Sequence, residues 1–275
     1  MPFNRLGGLG TPLVSYGTNW VRRDSGLWVA EEPLNLKKDS YILKEGRSAY
    51  LYMGTLYYTS NGTFVKAHYP GLRAVRVKVQ GGGGGGGGCR VTTTGHSAAA
   101  GGGGGGGYSE KFILVDDLAA SETVTVGAGG SGGAAAAGNG SSGGASSFGS
   151  HCQGNGGGGG NGMDDTASWS WAYEGGAGSA SGGDLNIPGS PGIRGIVGRV
   201  LGSAGDATRV IQLGAGGDSM LGMGGKDWTN STTASVGPGG QGRGSGGAGA
   251  YRNNTAGSHA GGNGADGIVI VELYG

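Results

Sequence analysis

The stretch VRVKVQGGGGGGGGCRVTTTGHSAAAGGGGGGGYSEKFILV, residues 75–115, decides the fold. It carries two glycine runs, Gly81 to Gly88 and Gly101 to Gly107, and a third follows at Gly156 to Gly160. Glycine this dense forms either a flexible tether or a backbone surface that other backbones can approach closely. The surrounding sequence has to decide between these two interpretations.

Segments that follow the glycine runs argue against a tether. Four of them have the β-branched, partly alternating composition of strands, which a linker does not need. They are residues 108–115, 122–126, 208–213 and 267–274. Residues 72–80 alternate apolar with basic side chains, which predicts a strand with one buried face, and we expect it to pair with the final strand. The sequence therefore favours a packed domain.

Glycine runs can satisfy their backbone groups as polyglycine II helices. Such a helix has about three residues per turn, a rise of about 3.1 Å and no internal hydrogen bonds, so its N–H and C=O groups point outward. Ordering each residue costs about 1–2 kcal/mol, and more for glycine. Dense hydrogen bonding between helices and flanking apolar layers have to offset that cost. We expect packed polyglycine II helices with a few β-strands and almost no α-helix.

The composition divides the chain. Only 9 of the 73 glycines precede residue 81, so we predict an all-β N-terminal domain over residues 1–71 and a glycine-rich domain over residues 72–275. In the first domain, Asn61-Gly62 between β-prone runs predicts a hairpin. Residues 20–29 are a second candidate hairpin. We expect this domain to attach the second to a larger assembly.

Charge and cysteine content exclude some classes of function. Residues 1–80 carry 11 basic and 5 acidic side chains, and residues 81–275 carry 8 basic and 13 acidic side chains. Neither part has the clustered basic charge that nucleic-acid binding requires. The longest aliphatic stretch, 268–271, is far below the roughly 20 residues that span a bilayer, so we expect no membrane insertion. Cys89 and Cys152 lack metal-ligand spacing; free thiols are favoured, and pairing stays open.

The order of motifs resembles a known family. The motifs are a strand, a glycine run, AAAGGGGGGGYSEKFILV, ETVTVGAGGSGG, GGASSFGS and the closing GGNGADGIVIVELYG. This order is similar to that of the glycine-rich distal domain of tailed-bacteriophage tail-fibre proteins, including T-even-type adhesins. The resemblance covers residues 72–275. It implies a polyglycine II sandwich whose variable loops contact a receptor.

The resemblance also implies location and partners. The chain would be made in the host cytoplasm and sit in the virion at the distal end of a tail fibre. Its partners would be the fibre shaft or other tail proteins and a bacterial surface receptor: an outer-membrane protein, a pilus or lipopolysaccharide. Monomeric and trimeric tips both remain open.

Stretches of different chemistry between the glycine segments hold the candidate receptor-binding residues. Aromatic side chains give large contact areas at low entropic cost, and the same residues could instead fill a small core. The resemblance implies exposed loops. The candidate residues are Asp164, Asp165, Trp169, Trp171, Tyr173, Lys226, Asp227, Trp228 and Tyr251. The spacing of 169, 171 and 173 predicts three rings on one side of an extended segment, which suits a sugar or a protein equally.

Catalytic patterns are weak. No helix signal follows the glycine runs, so a dinucleotide site is not predicted. The four histidines show no paired metal spacing, and Asp164 and Asp165 face opposite ways on an extended segment, which disfavours an acid–base pair. We expect neither an enzyme nor a bound cofactor. A non-adhesive structural glycine-rich fibre protein is the alternative, while residues 214–249 are too irregular for an ice-binding bundle.

Overall fold

The computed structural model describes residues 20–22, 28–30, 50–199, 208–226 and 234–275. Its two compact units divide between Leu51 and Tyr52. In the first unit, residues 20–22 pair antiparallel with residues 28–30, which confirms the pairing predicted for this segment. The remaining predictions for residues 1–19, 23–27 and 31–49 lie outside the described residues.

The described residues are nearly all β, as predicted. Two single-turn 3-10 helices, Lys66–His68 and Val115–Asp117, are their helical elements, and no helix among these residues is long and apolar enough to cross a membrane. The strands are β1 (Trp20–Arg22), β2 (Trp28–Ala30), β3 (Tyr52–Tyr58), β4 (Gly62–Val65), β5 (Ala74–Gln80), β6 (Cys89–Val91), β7 (Ser97–Ala99), β8 (Tyr108–Leu114), β9 (Ser121–Thr125), β10 (Ser146–Phe148), β11 (Cys152–Gly154), β12 (Ser170–Ala172), β13 (Ala180–Ser181), β14 (Leu185–Ile187), β15 (Gly195–Arg199), β16 (Thr208–Gln212), β17 (Leu221–Met223), β18 (Ala234–Ser235), β19 (Gln241–Arg243), β20 (Tyr251–Asn253), β21 (Gly257–His259) and β22 (Ile268–Tyr274).

Two five-stranded sheets share a core at one end of the second unit, which we call the sandwich end. Their strand orders are β14-β8-β5-β22-β3 and β13-β11-β10-β9-β4. In β5, alternation buries Val75, Val77 and Val79 and leaves Arg76 exposed. The buried valines join Phe64 and Phe148 of the other sheet in one apolar cluster. The apolar face of residues 72–80 is therefore the buried one, as predicted.

A second apolar core lies where the first glycine run ends and the second begins. β6 follows residues 81–88 directly, and β7 precedes residues 101–107. The residues of this core are Cys89, Val91, Ala98, Ala99, Met163, Ala172, Val197, Ala250 and Tyr251. We call this the loop end. Since β5 and β8 at the other ends of the two runs belong to the sandwich, each run connects one core to the other.

Backbone hydrogen bonds join glycine segments that are distant in sequence. Gly81, Gly84 and Gly87 donate backbone hydrogen bonds of 2.8 to 2.9 Å to the second run. Each step of three residues forward along the first run moves the acceptor three residues backward along the second. The two runs are therefore antiparallel neighbours. The glycines between these donors bond to other segments, so the direction of hydrogen bonding repeats every three residues.

Each of the first two runs is surrounded by six segments. The first run donates to residues 101–107, 138–145 and 260–267 and accepts from residues 127–134, 154–162 and 244–250. The second run donates to residues 154–162, 188–194 and 244–250 and accepts from residues 81–88, 173–179 and 213–218. The runs share two neighbours, 154–162 and 244–250, as adjacent positions in a hexagonal array do.

Close packing, rather than backbone conformation, requires glycine in these runs. None of the run residues has a positive φ. A Cβ added at Gly84 would lie well inside 3.0 Å of the carbonyl oxygen of Gly158. A Cβ at any other residue of the two runs would also lie well inside 3.0 Å of a backbone atom of a neighbouring segment. Outer segments differ because one side is open. In residues 127–134, Ala128, Ser131 and Ala134 are exposed at every third position.

Long-range pairing agrees with the sequence in some places and differs in others. β22 pairs with β5 over its whole length, which confirms the predicted partner. The predicted Asn61-Gly62 hairpin is wrong: β3 pairs with β22, whereas β4 pairs with β9. The chain crosses between the two sheets here, and Asn61 Oδ1 accepts a hydrogen bond from Val126 N at 2.8 Å. Residues 52–71 lie in the same compact unit as the glycine segments.

A pair of glycine-to-alanine variants tests the close packing. Gly84→Ala should unfold or aggregate the second unit, because its methyl group would overlap the backbone of residue 158. Gly176→Ala should fold with equal or slightly higher stability, since an added Cβ there meets nothing within 4 Å and alanine restricts the unfolded chain. Thermal unfolding followed by circular dichroism checks both. Equal stability of the two variants would contradict the packing.

Candidate functional site

Three aromatic side chains stand out at the loop end, and we call them the aromatic ridge. Trp169, Trp171 and Tyr173 are 62%, 53% and 53% exposed. They alternate with Ser170, which is half-buried, and Ala172, which is buried. As the spacing predicts, the three aromatic residues therefore lie on the open side of β12 and its two flanking residues.

Contacts on the opposite side of β12 hold the ridge in place. Ala172 packs into the loop-end core, opposite Gly195 in the neighbouring strand β15. A Cβ at Gly195 would collide with the carbonyl oxygen of Ala99, so the sheet lies directly on the backbone of β7. The strand that presents the rings is thus fixed by the glycine-rich packing beneath it.

An ion pair orients one end of the ridge. Arg194 Nε donates to Glu174 Oε2 at 2.7 Å, and the guanidinium carbon lies 5.3 Å from the centre of the Tyr173 ring. Stacking of this kind is favourable because the ring face is electron-rich. The hydrogen bond from Arg194 lowers the pKa of Glu174 below its ordinary value. The end of the ridge therefore carries a charged pair and a ring with one face already occupied.

Asp164 and Asp165 have different surroundings. Asp164 is half exposed and pairs with Arg90, whose Nε donates to Oδ1 at 2.9 Å and whose Nη2 donates to Oδ2. The hydrogen bond from Arg90 lowers the pKa of Asp164. Asp164 is thus exposed at the surface and bonded to Arg90 through both carboxylate oxygens.

Asp165 is mainly structural. Its Oδ2 accepts hydrogen bonds from Thr93 N at 3.1 Å and from both Thr92 N and Oγ1, and its Oδ1 lies 2.7 Å from His96 Nδ1. Burial acts to raise the pKa of Asp165, but the hydrogen bonds from Thr92, His96 and Thr93 outweigh it, so the pKa is lowered. This carboxylate organises residues 92–96 and has little free surface.

The other candidate residues are dispersed. Lys226 Nζ lies 3.2 Å from Asp218 Oδ1 and is three-quarters buried. Asp227 and Trp228 lie outside the described residues. Tyr251 is a correction, because it is only 3% exposed and packs into the loop-end core, where β20 is the central strand between β18 and β7. The aromatic character of Tyr251 serves the core here.

Both cysteines are buried free thiols. Cys89 belongs to the loop-end core and Cys152 to the sandwich core, so the glycine layer separates them. Burial raises the pKa of Cys89 to about 11 and that of Cys152 to about 12. Neither is an activated nucleophile. Within the described residues, no cluster of three or more His, Cys, Asp or Glu side chains could hold a metal ion.

Sequence reasoning missed the ion pairs at the end of the ridge and in the segment before it. Arg90, Glu174 and Arg194 have no local motif, since their partners are set by the packing of distant segments. It also missed side chains that cap outward-facing glycine N–H groups. Asn263 Oδ1 accepts from Gly132 N at 2.7 Å, and Asp266 Oδ1 accepts from Gly129 N at 2.8 Å. Their three-residue spacing in GGNGADG was the available signal.

Asp165→Asn tests the structural carboxylate. At pH 7 we expect it to lower the free energy of unfolding by roughly 1–3 kcal/mol, because the charge-assisted hydrogen bonds that Asp165 accepts from Thr92, Thr93 and His96 are weakened or lost. The pKa of Asp165 in the folded protein is depressed below its ordinary value of about 3.8, so the carboxylate stabilises the fold above that pH, and this contribution is lost as the pH falls through the folded pKa. The difference between wild type and variant should therefore shrink below about pH 3.8, as measured by urea unfolding.

Asp164→Asn is the matched control, because its carboxylate pairs with Arg90 in a more exposed setting and surface pairs contribute little. It should cause a smaller loss than Asp165→Asn. Equal losses at both positions, or none at Asp165, would contradict the assignment.

A family model described as a glycine-rich domain matches residues 59–274. No curated protein matches the sequence. The match covers most of the chain and includes the sandwich strands other than β3, the glycine runs and the aromatic ridge. The chain therefore belongs to the glycine-rich domain family.

Proposed function

We propose that this chain is the adhesin at the tip of a bacteriophage tail fibre and attaches the virion to a receptor on the bacterial surface. The exposed aromatic ridge at the loop end carries the proposal. Large exposed aromatic side chains on a rigid support are typical of recognition sites. The resemblance of the motif order to tail-fibre adhesins supports the same function.

The position of the ridge fits attachment through the opposite end. β3 begins the second unit and β22 ends it, and the two pair at the sandwich end. The loop end is therefore separated from both by the length of a glycine run, which for 8 residues is roughly 25 Å in the extended threefold conformation. In this proposal the fibre shaft or another tail protein lies on the sandwich side, and the receptor meets the ridge.

The proposal includes polyglycine II helices as the rigid support. Three features favour them: hydrogen-bond directions that repeat every three residues, an absence of positive φ among the run residues, and six neighbours around each of the first two runs. A threefold helix presents its backbone groups in successive directions in this way. Such a block would hold the loop end at a fixed geometry.

The proposed role is binding rather than catalysis. Asp164 is neutralised by Arg90 and Glu174 by Arg194, while Asp165 is held by the 92–96 segment. Hydrogen bonds lower the pKa of all three carboxyl groups, which does not suit a general acid at neutral pH. Their oxygens are engaged by these partners, which does not suit a nucleophile. The receptor candidates remain an outer-membrane protein, a pilus or lipopolysaccharide.

Whole-cell binding tests the proposed function. The fluorescently labelled full chain should bind cells of some strains in a panel of bacteria. The double variant Trp169→Ser/Trp171→Ser should bind them at least about tenfold more weakly, because hot-spot aromatics each contribute more than the 1.4 kcal/mol that corresponds to tenfold. Flow cytometry over a range of protein concentrations gives the apparent affinity.

Tyr57→Ser is the control, because Tyr57 is 67% exposed in β3 at the sandwich end. It should leave cell binding unchanged. If the wild-type chain binds no strain, the adhesin proposal is rejected in favour of a non-adhesive structural protein. If the double variant binds as well as wild type, the ridge is not the site.

A further inference from the structure

We propose that the aromatic ridge binds a carbohydrate chain of the bacterial surface by stacking its rings on the faces of successive sugars. This inference rests on the adhesin function proposed above and assigns the chemical class of the ligand. Lipopolysaccharide and capsule share this chemistry.

The ridge has the shape of a platform for an extended chain. Alternate residues of a strand lie roughly 6.6 Å apart, so Trp169, Trp171 and Tyr173 are spaced over about 13 Å. Each side chain is more than half exposed, whereas Ala172 between them is buried. A row of open ring surfaces suits a flexible polymer with repeating flat units, because each unit can lie on one ring.

Ring electrostatics favour sugar C–H groups. The face of an aromatic ring is negative, and the axial C–H bonds of a sugar are positively polarised. The Arg194 guanidinium already lies over Tyr173 at 5.3 Å, which fixes that ring. Its other face can receive a neutral sugar without displacing the cation.

Charged side chains at one end of the ridge, and in the segment before it, match sugar hydroxyls. Arg194 and Glu174 flank Tyr173, and Arg90 and Asp164 precede the ridge in an exposed ion pair. Arginine and carboxylate groups have spare donors and acceptors after pairing. Hydroxyl groups can use both kinds, so these pairs can stay intact when a glycan binds.

A protein ligand fits less well. Burying these two ion pairs under an apolar protein surface costs desolvation energy. A contiguous exposed apolar patch of more than a few hundred Å² would mark a protein-interaction site. Beside the ridge, the large apolar side chains exposed at the described part of the loop end are Ile193 and Val236, which does not amount to such a patch.

Chemical treatment of cells distinguishes the two ligand classes. Cells that bind the full chain are oxidised with periodate, which cleaves vicinal diols of sugars, or digested with protease. Periodate should reduce binding at least about tenfold, and protease should leave it unchanged. Purified lipopolysaccharide and purified capsule, added separately as competitors, identify the source: one of them should block binding.

Two substitutions of one residue test stacking itself. Trp171→Phe keeps a ring face and should bind within about threefold of wild type, whereas Trp171→Leu keeps apolar volume without a ring and should bind at least about tenfold more weakly. Tyr57→Leu at the sandwich end is the control for surface change. Thermal unfolding confirms that each variant is folded.

The outcomes separate this inference from the proposed function. Binding that survives periodate and is lost with protease overturns the carbohydrate inference and leaves the adhesin function standing. Equal binding by Trp171→Phe and Trp171→Leu also overturns it. A wild-type chain that binds no cells rejects the adhesin function and the inference together.

Discussion

The second unit depends on direct contact between backbones that carry no side chains. Each residue of the first glycine run faces a different neighbour from the one before it, and a Cβ at Gly84 or at any other residue of the run would overlap a neighbouring backbone. Ordering glycine costs more entropy than ordering any other residue. Hydrogen bonds to six neighbours offset that cost, and apolar cores at both ends close the block.

The fraction of glycine in a segment depends on how many of its sides are in contact with neighbouring segments. Residues 81–88 and 101–107 are all glycine because neighbours lie on every side. Residues 127–134 have an open side and carry small exposed residues at every third position. Asn263 and Asp266 then cap N–H groups that face outward. The packed glycine segments support β12, so the position of the aromatic ridge is fixed by contacts that only glycine permits.

Sequence patterns predicted what depends on local periodicity. The alternation of apolar and basic residues in 72–80 predicted which face of this strand is buried. The spacing of Trp169, Trp171 and Tyr173 predicted that their rings lie on the same side of an extended segment. Features set by distant partners were not predictable. Asn61-Gly62 leads from one sheet to the other instead of closing a hairpin, Tyr251 fills a core because β20 is a central strand, and Asp165 is held by donors some 70 residues away.

Native-state hydrogen exchange measured by NMR tests the backbone packing most directly. If the central glycines are hydrogen-bonded on all sides, the amides of residues 82–87 should exchange only through global unfolding, as slowly as those of buried β5 and β22. The amide of exposed Gly176 should exchange much faster. Exchange of residues 82–87 at the rate of an unstructured peptide, with β5 and β22 still protected, would contradict the account.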